Sequence, residues 1–63
     1  MLEYKVITFV ESQIEWKTIG TFNDLYYASL FFEYMCEYSL DAFKIVYFDG
    51  ARINTLKYRS SQI

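Results

Sequence analysis

The sequence predicts an α+β fold of order β-β-α-β-β, with an antiparallel-dominated sheet of about four strands and one helix packed on one face. Two observations carry this expectation. Segments rich in β-branched and aromatic residues occur twice before, and twice after, a single stretch with helical periodicity. The last pair of segments is joined by Asp49-Gly50, the dipeptide most typical of tight hairpins. At 63 residues, with no proline and two isolated glycines, residues 1–63 read as one domain without a linker. A chain of this size buries only about 60% of its unfolded surface, which leaves little scaffold for a catalytic cleft.

The first strand falls within Glu3 to Glu11. Its even positions Tyr4, Val6, Thr8 and Val10 share one face, and its odd positions Ile7 and Phe9 are apolar too, as expected of a central strand covered on both sides near its middle. Ser12-Gln13 breaks the pattern, and Ile14 to Thr18 alternates apolar with polar, giving a second strand over Ile14–Ile19 and a hairpin. Gly20-Thr21-Phe22-Asn23-Asp24 then ends the strand and opens a helix. Asn23 is suited to cap its free N–H groups and Asp24 to sit at the positive end of its dipole, with Thr21 and Asp24 an alternative capping pair.

The helix runs from about Asp24 to Tyr38. At about 100° per residue, Ala28, Phe32, Met35 and Ser39 fall on one line flanked by Leu25 and Cys36, and this line is the expected sheet-facing stripe. Tyr27, Phe31, Tyr34 and Tyr38 form a second line beside it, while Tyr26, Ser29, Glu33 and Glu37 make the back. Ala42 to Phe48 reads as the third strand, Arg52 to Arg59 as the fourth, and Ser60 to Ile63 as a frayed tail. Either Ile7, Phe9, Val46 and Phe48, or Tyr4, Val6, Phe43, Ile45 and Tyr47, point away from the helix.

Composition removes whole classes of chemistry. Without histidine there is no imidazole base and no common metal ligand. Gly20 and Gly50 form no phosphate loop, no carboxylates have metal-ligand spacing, and Cys36 lies mid-helix far from any feature that would activate a thiol. The sequence therefore predicts no catalytic set, no metal site and no cofactor, hence a protein that is not an enzyme. A lone cysteine suits a reducing compartment, so the expected location is cytoplasmic. No apolar run approaches the roughly 18 residues of a membrane span.

What remains is an aromatic surplus, seven Tyr, six Phe and Trp16, in a chain that is 22% aromatic. The apolar arc of the helix exceeds the roughly 100° that one-sided packing needs. Its second line then reads in two ways: as core whose hydroxyls reach water, or as an exposed ridge for a partner. The ridge reading assigns partner binding to Tyr26, Tyr27, Phe31, Tyr34 and Tyr38 with Glu33 and Glu37. A sheet covered on one side also leaves an apolar face, which a homodimer would cover through that face or by edge pairing.

Charge is unevenly spread. Residues 1–49 hold all eight acids and three bases, a net of −5, whereas residues 50–63 hold only Arg52, Lys57 and Arg59, a net of +3. A single-stranded nucleic-acid binder using the open sheet face and these three residues is the alternative reading. The overall charge of −2 weighs against it, and a charge-protected edge strand explains the same residues.

Gly20-Thr21-Phe22-Asn23-Asp24, the helix bearing Ala28, and Ile45-Val46-Tyr47-Phe48-Asp49-Gly50 give a chain that resembles, over its whole length, the small acidic proteins encoded by phages and other mobile elements. That set includes anti-CRISPR inhibitors of bacterial defence. The resemblance is one of general style, rests on no single motif and assigns no residue a role. It implies a small inhibitor that binds the surface of a host or defence protein.

Overall fold

Five elements follow one another in the expected order. The computed structural model describes residues 2–63. It contains β1 (Tyr4–Val10), β2 (Glu15–Phe22), α1 (Leu25–Tyr38), β3 (Phe43–Phe48) and β4 (Ile53–Arg59). The strands form one sheet of order β2-β1-β3-β4 with every neighbouring pair antiparallel. The most apolar strands, β1 and β3, lie at its centre, where both faces can be covered.

Register settles which parity meets the helix. Val6, Phe43 and Ile45 are buried with Ala28 and Phe32 of α1, and Tyr4, Ile19, Phe22, Phe31, Met35 and Cys36 pack around them. Ile7, Phe9, Val46 and Phe48 therefore point to the other side. Each large apolar side chain sealed in this core contributes about 1.5–3 kcal/mol, so Val6, Phe43 and Ile45, with Phe32 almost as deeply buried, carry much of a small domain's stability.

The helix begins one residue later than the Asn23 cap expected. Asp24 is the N-cap, extended at φ −127°, ψ 126°, and its Oδ1 accepts from the Tyr26 N–H over 2.8 Å. The carboxylate thus satisfies a free donor and places charge at the positive end of the dipole at once. At the other end the Ser39 N–H reaches the Met35 carbonyl, and α1 carries no base in its last turn.

The second strand extends past Gly20, where the sequence reading ended it. A bulge at Ile19 shifts the register, after which Gly20, Thr21 and Phe22 pair with Val6, Lys5 and Tyr4. Burial of the Phe22 ring against Phe31, centroids 5.5 Å apart, rewards that continuation. Gly20 is required there: an added Cβ would stand 2.9 Å from Phe22 and 3.0 Å from Phe31.

The first turn spans four residues, with the Gln13 and Ile14 N–H groups donating to the Val10 and Glu11 carbonyls. Ile14 has a φ of 53°, unusual for a β-branched side chain. The second hairpin closes from Asp49 to Arg52, longer than a two-residue loop. Asp49 Oδ1 accepts from the Ala51 and Arg52 N–H groups, and Asn54 donates to its Oδ2. Nor is the tail free of contacts, since the Gln62 N–H donates to the Leu40 carbonyl over 2.7 Å.

Candidate functional site

Two apolar surfaces are left over once the core is formed, one on each side of the molecule. The first is the outer face of α1. Tyr26, Tyr27, Tyr34 and Tyr38 are each between 57% and 71% exposed, and Leu30 lies among them, half open to solvent. The rings associate in pairs: Tyr26 with Tyr27 at 5.3 Å, near-perpendicular, and Tyr34 with Tyr38 at 4.7 Å, tilted. Glu33 and Glu37 are exposed on the same helix. Glu33 meets Lys57 Nζ at 3.7 Å, an exposed ion pair of little energetic weight.

Phe31 does not belong with this ridge. It turns inward onto Phe22 and the core, so the second line of the helix is divided, its phenylalanine packing and its tyrosines facing water. The division follows chemistry: a phenol tolerates a wet surface that a phenyl ring does not.

The three basic residues near the C-terminus are not gathered on the open sheet face. Arg59 reaches across to the end of α1. Its Nη1 donates to the Cys36 carbonyl, and its Nη2 to those of Ser39 and Asp41, over 2.6–3.1 Å. Lys57 faces the helix beside Glu33 and lies 5.8 Å from the centre of the Phe32 ring. Arg52 is exposed in the last turn, where its backbone bonds to Asp49.

The second surface is that open face, where Phe9, one of the residues the alternation offered for it, is joined by Trp16, Tyr58 and Lys44, which the sequence does not mark. Trp16 and Tyr58 come from the two edge strands, yet their rings approach to 6.5 Å, and Phe9 packs edge-on against Trp16 at 5.5 Å. Lys44 joins them: its Nζ lies 4.4 Å from the Trp16 ring centre and 5.6 Å from that of Tyr58. Such cation–π contacts hold a cation on an apolar sheet with little loss of its own stabilisation. Strand alternation marks Phe9 as a candidate for this side, but Tyr58 is hidden from a parity reading by a register shift in β4 between the partners of Ile45 and Val46. Toward the other end of the sheet is a groove of about 530 Å³ whose lining includes Glu3, Lys5, Val46, Phe48 and Ile53.

Neither surface carries a reactive constellation. The half-buried Cys36 thiol has its pKa pushed up chiefly by burial, with Arg59 pulling the other way. Among the described residues no cluster of carboxylate or cysteine side chains could hold a metal ion, and no helix is long and apolar enough to cross a membrane. No family model, no curated protein and no solved structure matches the chain.

Proposed function

We propose that this chain is a non-enzymatic protein-interaction module whose contact surface is the outer face of α1. The observation that carries this reading is the exposure of four tyrosines along one 14-residue helix, with Glu33 and Glu37 beside them. Tyrosine supplies large, stiff contact area at small entropic cost and is enriched among the residues that dominate binding energy. A helix keeps the rings at fixed spacing. Glu33, held only by a weak exposed contact to Lys57, and Glu37 favour a partner surface that is basic, such as the nucleic-acid-binding surface of a host or defence protein that a small inhibitor of phage origin would block.

The single-stranded nucleic-acid reading has less support. Lys57 lies on the helix side of the sheet, beside Glu33 and Phe32, and Arg59 is occupied by three carbonyls, so Arg52 alone remains of the basic set that would contact phosphate on the open face. A cytoplasmic setting suits the free Cys36.

Affinity capture on the immobilised chain tests the proposal. Wild-type protein should retain a discrete protein that Tyr27→Ser/Tyr34→Ser does not, with retention weakening as salt rises. Equal retention by both forms would remove the helix face from the account.

A further inference from the structure

We propose that the tyrosine face of α1 takes arginine side chains of its partner, with Tyr34, Tyr38 and Glu37 as the receiving group; the inference rests on the reading of that face as a contact surface. Three features of the C-terminal half of the helix carry it. The Tyr34 and Tyr38 rings, 57% and 71% exposed, lie 4.7 Å apart and tilted at 46°, so each keeps an outer face open to solvent. Glu37 is exposed one turn on from Tyr34, at the i, i+3 spacing that makes helix side chains neighbours. All three stand toward the end of α1 where free carbonyls gather negative charge.

Charge fixes the sign of the occupant. Between Lys17 and Lys44 the chain holds four acids, Asp24, Glu33, Glu37 and Asp41, and no base. The fold returns two bases to the helix, Lys57 to Glu33 and Arg59 to the carbonyls of Cys36, Ser39 and Asp41. Among the described residues no Lys or Arg lies over any of the four exposed tyrosine rings, and Glu37 has no ion pair. A cation from outside therefore meets ring faces and a carboxylate together. A purely apolar partner would instead cover Glu33 and Glu37 without a matching charge, at a cost in desolvation.

Arginine suits these groups better than lysine. A guanidinium is planar and weakly hydrated, so it lies flat on a ring while its fork of donors meets a carboxylate, whereas an exposed ammonium keeps its water. The chain contains its own example at the same end of the helix: the Arg59 guanidinium lies 5.5 Å from the centre of the Phe43 ring and donates to three carbonyls.

The probes are an arginine-rich peptide, its lysine counterpart of equal length and charge, and its citrulline counterpart, titrated against the folded chain with the aromatic ring signals followed by NMR. The arginine peptide should shift the Tyr34 and Tyr38 rings and leave Trp16, on the open face of the sheet, in place. Its dissociation constant should lie about threefold or more below that of the lysine peptide, and the citrulline peptide should not bind. Tyr34→Leu and Glu37→Gln should each weaken binding roughly two- to fivefold, while Tyr34→Phe should keep it because the ring face remains. Glu3→Gln, in the groove of the open face, should change nothing. Equal affinity for the lysine peptide, an affinity that survives both Tyr34→Leu and Glu37→Gln, or tyrosine rings that no peptide moves would overturn the arginine assignment. The contact surface itself still stands after any of these if the captured protein is lost from Tyr27→Ser/Tyr34→Ser; equal capture by that variant removes the helix face and this inference with it.

Discussion

Arg59, at the end of β4, donates from Nη2 to the carbonyl oxygen of Ser39 over 2.6 Å and so caps a helix from a distant strand. The same guanidinium satisfies Cys36 and Asp41, three carbonyls in all. Since α1 has no base in its own last turn, this side chain supplies the positive charge that a helix C-terminus favours.

Replacing Arg59 by alanine leaves those carbonyls to water. Charge-assisted bonds contribute about 1.5–3 kcal/mol each when well shielded, and this site is part-exposed, so Arg59→Ala should lower stability by about 2–3 kcal/mol in total. Arg59→Lys should recover only part of it, because one ammonium cannot reproduce a planar fork of donors. Urea denaturation followed by Trp16 fluorescence measures both.

Gly20→Ala tests the packing of the helix on β2. The new methyl would press on Phe22 at 2.9 Å and Phe31 at 3.0 Å, and displacing two packed rings costs about 1–3 kcal/mol. Gly50 gives the contrasting case, with open space around it but a φ of +97°. There Gly50→Ala should also destabilise, through backbone strain alone and with no change in the core. Chemical shifts of the Phe22 and Phe31 rings should move in the first variant and stay in place in the second.

Asp49 links the last hairpin to pH. The N–H of Arg52 foremost, then that of Ala51 and the Asn54 amide, hold its carboxyl below its ordinary value of 3.8. A depressed carboxyl stabilises the fold fully above its unfolded value, and that contribution disappears as pH falls through the lower folded value. The loss is therefore confined to pH below about 4. Melting temperature measured from acid to neutral pH should fall steeply there for the wild type, and less steeply for Asp49→Ala, whose plateau lies lower.

Cys36 should behave as a packed, protonated thiol. Burial raises its pKa, so alkylation at neutral pH should be slow in the folded chain and accelerate on denaturation. Rapid labelling of the folded protein would instead mark it as a reactive group and reopen an enzymatic reading.

The architecture was legible in the sequence because each element carried its own signal. Alternation marked the strands, the periodicity of Ala28, Phe32 and Met35 marked the inner helix face, and Asp49-Gly50 marked the last turn. Asp24 rather than Asn23 caps the helix because only one residue can stand immediately before the first helical one, and local sequence leaves open which of two adjacent capping residues it is. The roles of the last strand's bases were not legible. Arg59 and Lys57 acquire partners from α1, more than 20 residues away in the chain, and nothing in their neighbours announces it. The Trp16–Lys44–Tyr58 cluster was hidden for a related reason: it joins side chains from the two edges of the sheet, and a bulge in β4 breaks the alternation that would have aligned Tyr58 with it.

The tyrosine face of α1 is tested most directly by a photo-activatable residue substituted for Tyr34, with the same residue at the exposed turn position Gln13 as control. Irradiation in cells that express the chain should yield a discrete protein adduct from position 34 and none from position 13. An absence of adduct at position 34, or the same adducts from both positions, would contradict the account.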